Sequence, residues 1–157
     1  MSELSVPTVV LPVEVECADG RVFQGRVFMP AASPVHDGPT RAEEWINDAT
    51  QFFAFLPDGL DAPVLMNKRE VLVLSLSLPP GPGADGGEAA EGPIHHVRVE
   101  AEKRTLVGDL AVDMPPTHQR VLDYLNRAES FLLLREGSVR HLIQKERITR
   151  VIEVHEE

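Results

Sequence analysis

The chain has 157 residues, with 25 acidic and 15 basic side chains, six histidines and one cysteine, for a formal net charge of −10. That length suits one ordinary domain or two very small ones, and 43% hydrophobic residues suffice for a core, which excludes wholesale disorder. The charge argues against nucleic acid and against anionic membrane surfaces, and the lone Cys17 excludes a disulfide framework or a thiolate-rich zinc site. The longest apolar runs, such as Val71–Leu74 and Phe131–Leu134, are too short to cross a bilayer. The first residues carry no basic n-region. A soluble, cytoplasmic protein without cofactor or metal is expected.

In chain order, residues 1–12 read as a tail. Val13, Val15 and Cys17 alternate with Glu14 and Glu16, the period of a half-buried strand. Asp19-Gly20 signals a hairpin, and Val22–Phe28 is the return strand, ended by Pro30. Gly25 within it predicts a bulge or sharp bend of the kind that curls a small sheet into a barrel. A short helix follows. Thr40-Arg41-Ala42-Glu43 fits a capping box, and Ala42, Trp45, Ile46 and Ala49 form one apolar face. Phe52–Leu56 is a buried strand, closed by Pro57-Asp58-Gly59. Val64–Met66 and Val71–Leu78 are one bent strand or two.

The same order then recurs. Arg41, Trp45, Ile46, Asn47, Ala49 and Phe52 align without a gap on Arg120, Tyr124, Leu125, Asn126, Ala128 and Phe131. Leu65–Leu74 lies over Leu142–Val151, with Lys68 over Lys145. Val13–Glu16 lies over Val97–Glu100, and Gly25 over Gly108. The chain is a duplication, with a first repeat over 13–78 and a second over 94–157. Residues 79–93 between them hold nine Gly or Pro and no aromatic or β-branched side chain, the composition of a flexible acidic linker rather than a phosphate loop. Residues 1–78 carry 5 basic and 11 acidic groups, residues 94–157 carry 10 and 11. The repeats therefore share a core pattern but not a surface. A unit of about 60 residues is marginal alone, so the repeats are expected to pack together as a pseudo-twofold pair or a continuous sheet.

Val13–Phe28 resembles the first hairpin of Sm-like or SH3-like small β-barrels, and Val139–Val151 resembles their closing strands. The Arg-x-x-x-aromatic-aliphatic-Asn helix with its following Phe, and the later Lys-x-x-Val/Ile, resembles a bacterial domain family of uncharacterised function that occurs alone and in tandem. The resemblance implies a mainly β (α+β) fold, two small antiparallel units with one short helix after the second strand of each. The helix stands first in Sm proteins, and their RNA-binding residues have no counterpart here, so RNA binding does not carry over.

Few residues invite chemistry. His95 and His96 are adjacent in a strand and point to opposite faces, which suits solvated histidines better than a metal site. Cys17 lies on an apolar face with no base beside it and reads as a small buried hydrophobe. No nucleophile elbow surrounds Ser130 or Ser138. No enzyme is expected, and no catalytic residue is assigned. Arg41, Asn47 and Lys68 recur as Arg120, Asn126 and Lys145, which marks either a duplicated binding groove or residues the fold requires. Trp45 and Tyr124 are core aromatics by spacing or anchors for a partner. The expected function is a non-catalytic protein-interaction module, an adaptor or scaffold subunit with a protein partner. Strand addition at sheet edges is the expected mode, and pairing between copies of the chain stays open. The alternative is a sensor that binds an anionic small molecule between the repeats through Arg41, Arg120, Lys68 and Lys145.

Overall fold

The computed structural model describes residues 8–33, 40–77, 92–127 and 129–154. The elements are β1 (Thr8–Cys17), β2 (Val22–Pro30), α1 (Ala42–Ile46), β3 (Phe52–Pro57), β4 (Val64–Asn67), β5 (Val71–Ser77), β6 (Ile94–Ala101), β7 (Arg104–Ala111), α2 (Val121–Leu125), β8 (Phe131–Glu136), β9 (Val139–Gln144) and β10 (Ile148–Glu153). A single 3-10 turn joins β4 to β5 (Lys68–Glu70) and another joins β9 to β10 (Lys145–Arg147). The fold is mainly β with two short helices, and the succession of elements is the same in both halves.

All ten strands form one antiparallel sheet in the order β10-β6-β7-β8-β9-β5-β1-β2-β3-β4. Within each repeat the fifth strand flanks the first, and the fourth lies on the far side. The repeats meet where β9 of the second pairs with β5 of the first, from Val73↔Ile143 to Ser77↔Val139. The expectation of a continuous sheet therefore holds. The expectation of a barrel does not, because the sheet is open. The fourth and fifth strands of a repeat stand at its opposite edges, and at the centre of the molecule β5 and β9 pair with each other across the repeats rather than closing their own.

Two expectations of local structure are corrected. β1 begins at Thr8, inside the segment read as a tail. Pro12 is tolerated there because β5 pairs with β1 only from Val13 onward, so no ladder on that side needs the missing N–H. Gly25 is not bulged: it pairs in register with both Val13 and Pro57, and the register shifts fall at Glu16/Cys17 and Ile148/Arg150. Glycine is needed because a Cβ at Gly25 would sit 2.2 Å from Leu56 O, and one at Gly108 would sit 2.5 Å from Arg135 O. The linker expected at 79–93 lies outside the described residues except for Gly92 and Pro93.

Two apolar clusters fill the fold, and each draws on both repeats. The first, around Val15, Trp45, Phe55 and Leu74, includes Phe131, Leu133 and Leu142 from the second repeat. The second, around Val99, Leu110, Tyr124 and Leu134, includes Leu72 and Val73 from the first. β5 is thus buried on both faces, which explains the unbroken run Val71-Leu72-Val73-Leu74. The helices are barely one turn long and owe their stability to the clusters they cover. Their caps differ from expectation. Thr40 makes no cap bond; Arg41 occupies the N-cap, and Glu44 Oε1 accepts from its backbone N–H at 3.2 Å. In α2, Asp123 accepts from Arg120 N–H at 3.1 Å in the same way. Glu43 is thereby free to face the other repeat.

Candidate functional site

The seam between β5 and β9 joins the two repeats. Several polar side chains cross it, among them Gln144, Asn47 and Glu43. Gln144, buried at the end of β9, donates from Nε2 toward Lys68 O (3.1 Å), Arg69 O (3.1 Å) and Val71 O (2.6 Å). Asn47, just after α1, grips the backbone of Phe131: Nδ2 donates to Phe131 O at 3.1 Å, and Oδ1 accepts from Phe131 N–H at 2.8 Å. Its side-chain amide thus acts as a one-residue strand against β8. Glu43 accepts from the Tyr124 hydroxyl at 3.1 Å and from Arg127 Nη2 at 3.0 Å. The Arg127 guanidinium lies 4.0 Å over the Tyr124 ring. Burial first, and then Glu43, pushes the Tyr124 hydroxyl well above the usual phenol range.

A further polar group at the seam is invisible in the sequence. Ser75 and His141 are cross-strand partners, with Ser75 Oγ 2.7 Å from His141 Nδ1, and His141 Nε2 is 2.9 Å from Glu136 Oε1. These groups line a cleft of 440 Å³ together with Glu14, Gln24 and Arg104. A serine–histidine–carboxylate chain invites comparison with nucleophilic catalysis. Ser75 sits in mid-strand, however, with ladders on both sides from β1 and β9. The backbone amides beside Ser75 are spent in the two ladders and do not converge on a developing oxyanion. The arrangement is a cross-strand clip between the repeats. Its signal in the sequence would have been a polar pair opposite each other in two otherwise apolar strands, which needs the pairing to be known.

The residues singled out by duplication are distributed as follows. Trp45 is buried, edge-on to Phe53 at 5.3 Å, and Tyr124 is buried in the second cluster. Lys68 is buried and donates to Asp48 Oδ1 at 2.8 Å and Thr50 Oγ1 at 3.1 Å. Burial acts to raise the Asp48 carboxyl, but the bonds from Lys68 and Thr50 outweigh it and hold it below the usual range. Lys145 donates to Leu125 O at 3.0 Å and Arg127 O at 2.6 Å, closing the loop after α2, and burial lowers its ammonium. Arg120 makes paired bonds of 3.0 Å to Asp123. Asn47 and Asn126 have φ of −93° and −88°, so neither is a left-handed cap. Asn126 is exposed, and its side chain makes no hydrogen bond among the described residues.

Two of the four cations of the anion-sensor alternative, Arg41 and Lys68, line different clefts. Arg41 lines a small one, of 60 Å³, with Glu43, Asp113, Arg127 and Arg135, room for a few waters. Lys68 lines another, and none of the three principal clefts is lined by two of the four. Cys17 is buried, and burial raises its thiol, followed by Asp19. His95 lies 3.1 Å from Glu153 Oε1 and 3.2 Å from Gln119 O, and His96 bonds Asp109. Among the described residues no group of three His, Cys, Asp or Glu side chains could hold a metal, and no helix is long and apolar enough to cross a membrane. No protein-family model, curated protein or solved structure matches the chain.

Away from the seam, the sheet ends in two edges, β4 and β10. β4 is four residues long and begins after Pro63; both features shorten the unpaired ladder. It nevertheless exposes Val64 and Leu65, next to an exposed Phe52 on β3. β10 carries Val151 and Ile152, half-buried, with Val154 exposed just beyond.

Proposed function

We propose that the chain is a non-catalytic protein-interaction subunit, an adaptor or scaffold, that binds through the open edges β4 and β10 of its sheet. Each repeat is read as a small Sm/SH3-like unit, which its strand order (fifth, first, second, third, fourth) supports. The observation that carries the functional reading is the seam itself. It is an edge-to-edge strand contact, with buried apolar residues on both strands, made by a fourth strand and a fifth strand. Among the described residues, the other fourth strand and the other fifth strand have no neighbour on their outer sides, at the two ends of the sheet. An unpaired edge offers main-chain donors and acceptors to an incoming strand, with alternate side chains supplying selectivity.

The test is position-specific photo-crosslinking in cells that natively make the protein. Benzoylphenylalanine is placed at Leu65, at Ile152 and, as a control, at Val107, an exposed residue on the interior strand β7. Discrete protein adducts from the two edge positions, and none from the control, are expected. Silence at both edges, or equal labelling at all three positions, would refute the proposal.

A further inference from the structure

We infer that the occupant of these edges is a second copy of the chain, with β4 of one molecule added to β10 of the next in the geometry that β9 and β5 already use. This rests on the reading of the edges as interaction surfaces and names their partner. The internal seam is heterologous: a fourth strand meets a fifth, and the two surfaces differ. A duplicated unit joined that way ends in the same two surfaces unpaired, so the contact can repeat without limit or close on itself.

The side chains at the free ends match this expectation one by one. Phe131 and Leu142 reach across the seam into the first repeat's cluster and are 2% and 0% exposed. Their counterparts Phe52 and Leu65 are 49% and 72% exposed. On the receiving side, Glu43 meets Tyr124 and Arg127 across the seam, and its counterpart Leu122 is 57% exposed. Asn47 grips Phe131, whereas Asn126, its counterpart, has an unoccupied side-chain amide among the described residues. In the repeated contact Asn126 would grip Phe52 of the next molecule. Leu74↔Leu142 and Ser75↔His141 at the seam become Val151 opposite Leu65 and Ile152 opposite Val64. Three large apolar side chains are thus left in water at the places where the seam buries theirs or sets a charge.

The free ends also differ from the seam in ways that weaken the contact. Pro63, which would face Glu153, has no N–H to donate. Asn67 stands where Gln144 reaches three carbonyls, and its side chain is shorter and accepts locally from Arg69 N–H at 3.1 Å. A net charge of −10 per chain adds repulsion between copies. The assembly is therefore reversible and tightens as salt is added.

Complementation tests it. Leu65→Lys disables β4 and leaves β10 intact; Ile152→Lys does the reverse. Mass is measured by light scattering over a dilution series, with and without added salt, after circular dichroism has verified folding. Should Ile152→Lys unfold the chain, Val154→Lys at an exposed position replaces it. The wild-type chain is expected at twice 17.3 kDa or more, or as a sedimenting fibre, and each variant alone at 17.3 kDa. The mixture of the two is expected at 34.6 kDa, twice that mass, because one good edge of each remains. Wild-type protein that stays at 17.3 kDa at its highest soluble concentration overturns the inference, as does a variant that still assembles or a mixture that stays monomeric. If self-association fails while crosslinks at Leu65 and Ile152 persist to another protein, the partner assignment falls and the interaction reading stands. If both fail, both fall.

Discussion

Replacing Gln144 with alanine tests whether the two repeats are held by the polar contacts of the seam as well as by its apolar ones. The Gln144 side chain is buried and lies within 3.1 Å of three carbonyl oxygens, those of Lys68 and Arg69 on the turn between β4 and β5 and of Val71 at the start of β5. An amide has two N–H groups, so two full hydrogen bonds are lost. Each carbonyl left dry costs about 1–3 kcal/mol, and allowing for water that enters the vacated space the loss is about 2–4 kcal/mol. For a chain of this size that is a fall in Tm of about 4–16 °C. Urea unfolding should show a lower midpoint at unchanged slope. Gln144→Glu replaces donors with an acceptor that faces three more acceptors, and should be worse than Gln144→Ala. Asn67→Ala, at the matching place on the free edge, loses a single partly exposed bond and should cost about 0.5–1.5 kcal/mol. A Gln144→Ala protein within about 0.5 kcal/mol of wild type, or a Gln144→Glu protein no weaker than it, would refute the reasoning.

Other outcomes follow from the same structure. Gly25→Ala puts a Cβ 2.2 Å from the Leu56 carbonyl, which backbone must move to relieve; a loss of about 3 kcal/mol by urea unfolding is expected, whereas Gly59→Ala, with open space around it but φ of +83°, should cost about 1 kcal/mol. Asp48 is held below its ordinary value of 3.8 in the folded state, so its contribution to stability is present above about pH 4 and is lost as pH falls through the lower folded value; Asp48→Asn should lower stability at neutral pH and flatten that acid limb in a series of denaturation curves. Residues 1–78 and 92–157 made separately should each lack cooperative unfolding by circular dichroism and regain it on mixing, because each cluster borrows apolar side chains from the other repeat.

Much of this fold could be read in the residues, and the seam could not. Alternation marked β1 and β6, Asp19-Gly20 marked the first turn, and Trp45-Ile46 and Tyr124 marked the buried faces of the helices. These are local patterns with local causes. The cap lies one residue beyond the sequence signal, because Thr40 and Glu43 match a motif that Arg41 and Glu44 fulfil. The barrel was expected because strand patterns do not say which neighbour a strand pairs with. One signal did bear on it. Val71-Leu72-Val73-Leu74 aligns with Ile148-Thr149-Arg150-Val151. A strand that is apolar on both faces and a copy of it that carries Thr149 and Arg150 in the middle belong in different places, one inside the sheet and one at its edge. Among the duplicated residues, Lys68 and Lys145 do closely similar work within their own repeats, while Asn47 and Asn126 have parted, one bound across the seam and the other exposed. Recurrence alone cannot separate those two fates.

The seam also has a history in the time before the chain is complete. Ser75 and His141 are separated by 66 residues, so β5 leaves the ribosome well ahead of the strand that covers it. At about 5–20 residues per second, the wait is about 3–13 s. Throughout it the first repeat presents Val71–Leu74 beside an open ladder, a short, uncharged, β-rich segment of the kind that seeds aggregation. Translation speed through the second repeat, and the chaperones that meet the nascent chain, therefore bear on the yield of this protein more than on that of a fold whose strands pair as they emerge.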